Sequence, residues 1–465
     1  MGRNMANNTR RIYQLDQNLT PEQRIVTFAK CSRSAEPFDK IAKELTDEKA
    51  AKFNQRYVVA FGHLSVAEHA AFNIAMEDVS ILATKIIEDN RLGSFTERST
   101  RYQVYDKNSY YKPDSIMNSK YADVYGKAGN YLFEIYEKLY PIVCEDMKKN
   151  YPKTNDNIKT YDTMIKGKTC DVVRYILPVA TLTSLGMTLN ARNLIYAINK
   201  MITSPLGEMQ DIGNDLKKIA EKSIPTIANM IKPIKYLAET LPELQKTVSR
   251  ISFNQTDIKQ EPVTLVDYDV NADDKLVTAL IYRFLSQSYE SIKNKVSKMS
   301  QIQKEDIIDQ ALKNRSAMDQ PLRELEHIYY TFDILMDYGA FRDIQRHRMC
   351  SQTNQLVTCD HGYEIPDKIR ELGVEKKYIS AMDTSREAYE KIKKDFPQEA
   401  QYIVAFAYKK RTLFTWNLRE LHHFISLRSR PAGHVSYRLI ANQVYDELAK
   451  VHPLLAKYIN VVKIK

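Results

Sequence analysis

Residues 62–94 contain Gly62-His63-Leu64-Ser65-Val66-Ala67-Glu68-His69, then an alternating stretch over 70–77, then Asp89-Asn90-Arg91-Leu92-Gly93-Ser94. The same order returns later as Glu326-His327, a second alternating stretch over 328–337, and Arg346-His347-Arg348-Met349-Cys350-Ser351. The Glu-His pairs lie 258 positions apart (68 to 326), and the closing serines 257 apart (94 to 351). Further on, Asn190-Ala191-Arg192-Asn193-Leu194 recurs as Asn417-Leu418-Arg419-Glu420-Leu421, at an offset of 227. Several anchors in one order identify an internal repeat, whose first copy carries extra residues between the blocks.

The local patterns agree with that alignment. Ser65-x-x-Glu68 has the form of a capping box and predicts a short helix entry. Phe72, Ile74 and Met76 alternate with Asn73, Ala75 and Glu77, as in a half-buried strand, and Tyr330, Phe332, Ile334 and Met336 alternate in the same way. A helix is expected after each, over 80–90 and 340–347. Other helices are expected over 120–150, 206–222, 275–295, 374–395 and 440–451. The stretch 241–260, with Pro242 inside and Pro262 just beyond, reads as a linker between modules 1–240 and 261–465. The fold class is α+β, two similar modules packed together.

Composition bounds the function. The chain has 465 residues, 43% hydrophobic and 27% charged, which is globular rather than disordered. No apolar run is long enough to span a bilayer, and residues 1–17 lack the apolar core of a secretion signal. Five cysteines without a Cys-x-x-Cys pair disfavour a disulfide framework or a zinc ribbon and fit a cytoplasmic protein. Lys and Arg exceed Asp and Glu by 68 to 58, a net charge of +10. Either a nucleic-acid surface or pockets for small anions would use it; the lysines are scattered, which disfavours nucleic acid.

With these residues in view, the chain resembles the flavin-dependent thymidylate synthases. Their signature is Arg-His-Arg-x-x-Ser-x-(Asn)-Glu-x-Ser-x-Arg-Tyr, preceded by Gly-His-x-Ser/Thr-x-x-Glu-His. Here the signature is split. Copy one has Glu97-Arg98-Ser99-Thr100-Arg101-Tyr102 but Asp89-Asn90-Arg91 where Arg-His-Arg belongs. Copy two has Arg346-His347-Arg348 and Ser351, but Asn354, Leu356, Thr358 and Cys359 where the later signature residues belong. The resemblance implies a tandem fusion of the family module, a mixed sheet with packed helices, forming a pseudo-dimer. Two fused chains would then form a homodimer that mimics the family's tetramer.

The resemblance also implies site residues. Glu97, Ser99, Arg101 and Arg174 of copy one would hold deoxyuridylate (dUMP), with Arg346 and Arg428 of copy two. Arg428, with Ser99 beside the phosphate, would stabilise charge developing on the uracil ring, an electrostatic role suited to a permanently protonated group. The counterparts Gln401 and Met201 lack the charge, so the losses are complementary and leave one composite site. The implied cofactor is flavin adenine dinucleotide (FAD), contacted by Arg346, His347 and Arg348, by Ser65 and Glu68, and by Asn190 and Arg192. His63 would lie near the flavin ring, and Asn417 and Arg419 are retained counterparts. NADPH and methylenetetrahydrofolate would be co-substrates in the reductive methylation of dUMP to dTMP.

Plainer readings stand beside these. An Arg-His-Arg at a helix end also suits the helix dipole. His69 and His327 read as half-buried hydrogen-bonded residues, Trp416 as core, and His422-His423 as no metal site. Cys350 in the basic turn has the setting for a lowered thiol pKa, or is a small packing residue. A related flavin- and folate-dependent enzyme on another pyrimidine, and a non-catalytic flavin- or nucleotide-binding protein, are the alternative functions.

Overall fold

The computed structural model describes residues 10–15, 18–153, 158–251, 261–316 and 318–464. Among the described residues seven strands form two sheets. β1 (Ala71–Ser80), β2 (Ser94–Glu97) and β3 (Leu182–Asn190) form one, in the order β1-β3-β2. β4 (Val263–Tyr268), β5 (Tyr329–Asp337), β6 (Ser351–Asn354) and β7 (Lys409–Asn417) form the other, in the order β4-β5-β7-β6. Removing β4 leaves the same order twice, as the repeat requires. The second sheet is antiparallel throughout rather than mixed. Its alternation places Tyr330, Phe332, Ile334, Phe414 and Trp416 on a fully buried face. Trp416 stacks between Phe414 (4.6 Å) and Phe424 (4.9 Å), in the core as expected.

The chain packs as two compact units. Of the described residues, the first holds those up to Met76 with Leu92–Thr96 and Gly186–Ile251; the second holds Glu77–Arg91, those from Glu97 to Leu185 and those from Glu261 on. Their boundary runs through β1, β2 and β3.

The first unit contains the 3-10 helix Leu64–His69. The expected capping box is absent there: Ser65 lies inside the helix, and Glu68 is instead paired with Arg192 Nη1 at 2.6 Å. His69 is exposed and stacks on Phe28 (4.0 Å), correcting the half-buried reading. The helix Lys235–Val248 enters the expected linker and carries Pro242 inside it; positions 252–260 of that linker lie outside the described residues.

The second unit holds the paired parts of both copies. Val179 N–H donates to Val404 O, and Phe406 N–H to Leu177 O, both at 2.9 Å. Ala180 N–H donates to Tyr402 O (3.0 Å), and Ala407 N–H to Tyr175 O (2.9 Å). Each bond maps onto its mate at the 227 offset, so the segments pair about a local two-fold. The helices Ala122–Asn150 and Glu375–Ile392 match at an offset of 253 (125 to 378, 111 to 364): Tyr125 OH donates to Tyr111 O (2.6 Å), and Tyr378 OH to Glu364 O (2.7 Å).

The helices Ile81–Ile87 and Tyr338–Ile344 start at Ser80 and Asp337, whose side chains accept from the Ala83 and Ala340 amides. Both are shorter than expected, because a turn follows each. The single helix expected over 275–295 is two, Ala272–Tyr282 and Tyr289–Val296, since the Ser288 side chain caps a new start. His327 is exposed, also against expectation. Among the described residues no helix is long and apolar enough to cross a membrane.

A buried ion cluster joins the copies. Glu97 accepts from Lys85 Nζ (2.9 Å), Arg342 Nη2 (3.0 Å) and Thr84 Oγ1 (2.8 Å), and Lys85 also pairs with Glu88. Burial alone would raise the Glu97 carboxyl, but Arg342 and Lys85 outweigh it and hold it at about 2. Arg342→Met leaves this carboxylate short of a cation and is expected to cost about 3–5 kcal/mol, read as a lower urea midpoint. Because the folded Glu97 is depressed, its contribution is complete above its ordinary 4.5 and fades as pH falls from there towards 2. An unchanged midpoint in Arg342→Met contradicts this account.

Candidate functional site

The basic turns of the two copies clasp each other in the second unit. Arg91 Nη2 donates to Cys350 O (2.9 Å), and Arg348 Nη1 donates to the carbonyls of Asn90 and Arg91. Arg91 and Arg348 are repeat equivalents, so the clasp is reciprocal. Cys350 is buried within it, its Sγ–H donating to His347 O, and burial pushes the thiol up to about 12. The lowered thiol pKa considered from sequence is therefore contradicted: desolvation outweighs the neighbouring arginine.

Beside the clasp, arginines of both copies act on one carboxylate, with Arg346, Arg174 and Arg428 foremost and Arg342 behind them. Arg346 Nη2 donates to Asp343 Oδ1, and Arg428 Nη1 lies 3.6 Å from the same oxygen. Burial raises the Asp343 carboxyl, but Arg346, Arg174 and Arg428 together bring it down to about 2. Arg174 comes from copy one, just before the paired segment Tyr175–Ala180. It is 3% exposed, and its Nη2 is buried without a hydrogen-bond partner. That nitrogen lies against the first turn of the helix Tyr338–Ile344: a Cβ on Gly339 would sit 3.6 Å from it, an ordinary contact, and 2.9 Å from Asp337 Oδ1, so the helix cap is what the glycine spares.

Arg428 Nε–H donates to His347 Nε2 at 2.9 Å, and His347 Nδ1 meets Glu420 Oε1 at 3.1 Å. Arginine has no acceptor, so Nε2 is the unprotonated nitrogen and Nδ1–H donates to Glu420. Burial, with Arg428 and His423 nearby, holds His347 well below the ordinary imidazole range. Burial pushes Glu420 up to about 7.

The other nucleotide candidates are engaged. Arg101 forms a bidentate pair with Asp171 (2.6 and 2.7 Å), and its Nη1 donates to Ala432 O (3.3 Å). Ser99 Oγ accepts from the Arg101 amide (3.2 Å). Both Glu97 oxygens are taken within the ion cluster. His434 accepts at Nδ1 from the Ser436 amide (3.2 Å), so Nε2–H donates to Asp171 O (3.1 Å); burial lowers it to about 4. A cavity of about 510 Å³ is lined by Asp171, Tyr175, Asp337 and His434, but not by Arg174, Arg346 or Arg428.

The cofactor candidates divide between the units. His63, Ser65, Glu68, Asn190 and Arg192 belong to the first, where His63, Ser65 and Arg192 are exposed. Arg346, His347, Arg348, Asn417 and Arg419 belong to the second. Asn190 and Asn417 cap helices, accepting from the amides of Asn193 (2.9 Å) and Glu420 (2.8 Å). Arg419 pairs with Glu326 (2.9 Å), as Arg192 does with Glu68. Among the described residues no group of three or more His, Cys, Asp or Glu is placed to hold a metal ion.

Sequence reasoning missed Asp343, Glu420, Asp171 and His434. Asp343 stands three residues before Arg346, a helical spacing that signals a pair. Asn417-x-x-Glu420 is a capping pattern, but nothing local ties Glu420 to His347.

The family model described as "Thymidylate synthase complementing protein" matches residues 14–226 and 264–454. The chain is 33% identical to a UPF0159 protein of Chlamydia pneumoniae over 431 residues, 89% of this chain and 81% of that one. It is 28% identical to a UPF0159 protein of Thermoplasma acidophilum, over 90% of each chain. It is 26% identical over 215 residues to the flavin-dependent thymidylate synthase of Clostridium tetani, 46% of this chain and 83% of that one. The flavin-dependent thymidylate synthase of Helicobacter pylori, solved with FAD and dUMP, aligns with a TM-score of 0.32 at 18% identity, covering 43% of this chain and 99% of that one.

Asp343→Asn removes the counter-charge of the arginine cluster. It is expected to lower the melting temperature, and inorganic phosphate should restore more of the loss than it adds to wild type, because an anion bound only to the folded state stabilises it. Equal phosphate shifts in both proteins contradict this.

Proposed function

The chain belongs to the thymidylate synthase complementing protein family, and we propose that it methylates dUMP to dTMP at one composite site built from both copies. The observation that carries this reading is that Arg174 of copy one, buried with an unpartnered Nη2 against the Gly339 turn, comes within electrostatic reach of Asp343, which Arg346 and Arg428 of copy two pair with. The counterparts have taken other work. Gln401 is buried, with its Oε1 accepting from the Val357 amide (3.0 Å), and Met201 is core.

Arg174 and Arg346 would meet the nucleotide's phosphate, which arginine's fork suits. The unpartnered Nη2 of Arg174 supports this, since a buried donor without a partner is costly unless a ligand satisfies it. Arg428 would stabilise negative charge developing on the pyrimidine ring without giving up a proton. Ser99 adds a hydroxyl. Glu97 and Arg101, held by Arg342 and Asp171, would anchor their segment.

FAD would supply the hydride that reduces the one-carbon unit from methylenetetrahydrofolate, with NADPH as reductant. The donors fit it in part. Within the first unit His63, Ser65 and Arg192 are exposed, and such donors suit a pyrophosphate. His347 does not fit, because both ring nitrogens are taken, and Arg348 donates to backbone carbonyls. The reading includes a cytoplasmic location and a homodimer of fused chains.

Asp343 favours a second reading, a related enzyme on another pyrimidine nucleotide. An ionised carboxylate only accepts, so a base edge bearing an amino group satisfies it where a carbonyl does not. The test is turnover of purified protein with methylenetetrahydrofolate and NADPH, scored by product mass, with dUMP and deoxycytidylate in parallel. Thymidylate formation is expected, with about a hundredfold loss in Arg174→Ala or Arg428→Ala and little change in Gln401→Ala. Intact turnover in both arginine variants overturns the composite site. Methylated deoxycytidylate alone selects the second reading.

A further inference from the structure

Resting on that reading of Arg428, we propose that His347 and Glu420 are positioning residues that hold the Arg428 guanidinium in place for its anionic ligand. An arginine side chain has several rotatable bonds, and fixing it needs a partner for its inner donor. His347 Nε2 is that partner, at 2.9 Å from Arg428 Nε. The ring is itself fixed: its side chain is 3% exposed, and it packs edge-on against Phe424 (5.1 Å). Glu420 accepts from its other nitrogen at 3.1 Å and sets which nitrogen carries the proton. Glu420 is held in turn by the helix start, where its amide donates to Asn417 Oδ1. The relay thus runs from the first turn of the helix Leu418–Arg428 through the ring to the last residue of that helix.

The repeat supplies an internal control. The copy-one counterparts of His347, Glu420 and Arg428 are Asn90, Asn193 and Met201. Where the arginine is absent, both other members are absent too, at positions far apart in sequence. Asn90 Nδ2 bonds within its own turn, to Ile87 O (2.8 Å), and Asn193 Nδ2 is buried without a partner. A histidine kept only for packing gives no reason for a carboxylate and an arginine to be kept with it.

Two amide substitutions separate the ring's two nitrogens. Glutamine places its amide near Nε2 and keeps an acceptor for Arg428; asparagine places its amide near Nδ1 and does not reach. By equilibrium dialysis, His347→Gln should bind dUMP within about threefold of wild type and His347→Asn about tenfold more weakly. Glu420→Leu should weaken binding by roughly threefold. In an Arg428→Lys background, His347→Asn should add no further loss. A merely structural role predicts equal losses in both backgrounds and in both amide variants, and that result overturns the proposal. Exchange of the Arg428 Nε–H, followed by nitrogen-15 NMR without nucleotide, gives a readout independent of the substrate. Slow exchange that becomes fast in His347→Asn and Glu420→Leu supports the proposal, and fast exchange in wild type overturns it. If wild type binds no dUMP, the functional reading fails, and the exchange measurement alone decides the positioning.

Discussion

The reciprocal backbone pairing of 175–180 with 402–407 is the constraint on which the second unit depends. Ile176, Leu177, Val179, Ala180, Ile403, Val404, Ala405, Phe406 and Ala407 are fully buried, and their amides have no water to turn to. The amides of Val179, Ala180, Phe406 and Ala407 take their carbonyls from the other copy, while those of Leu177, Val404 and Ala405 bond within their own, and a buried amide left unpaired is rarely tolerated. Separating the copies would leave those four amides unpaired. The pairing also fixes what flanks it. Arg174 immediately precedes the paired stretch, so copy one's arginine reaches the helix Tyr338–Ile344 of copy two.

The backbone and several side-chain pairs keep the local symmetry, and the groups around Glu97 and Asp343 discard it. Lys85 and Arg342 are equivalents, yet both serve one carboxylate, Glu97, whose own counterpart is Asn354. Asn90 stands opposite His347, Gln401 opposite Arg174, and Met201 opposite Arg428. A two-fold frame would ordinarily hold two equal sites. Here the charges gather around Glu97 and Asp343, and the equivalent positions are neutral hydrogen-bonded or apolar core. Concentrating cations demands an internal anion, and Asp343 provides it. The site is basic in composition but partly compensated before any ligand arrives.

Much of this was legible in the sequence. The repeat order gave both short entries, β1 and β5, and the helices after them, because motif order survives when side chains diverge. The period-two alternation found β5 because one face is fully buried. The errors have local causes. Ser65-x-x-Glu68 looks like a capping box, but Glu68 is drawn to Arg192, 124 residues away. The helix expected over 275–295 ignored Ser288 as a new start. Cys350 lies among basic residues in sequence, yet its burial decides its chemistry. The links from Asp343 to Arg174 and from Glu420 to His347 were hidden because they cross between distant segments, and no spacing rule reports a contact of that kind.

The proposed function has two copies make one nucleotide site. Equilibrium dialysis of the purified full chain with labelled dUMP measures this directly, as moles bound per mole of chain at saturation. One nucleotide per chain is predicted, since only one set of positions keeps its arginines. Two nucleotides per chain, with both sites surviving Arg174→Ala, would contradict it.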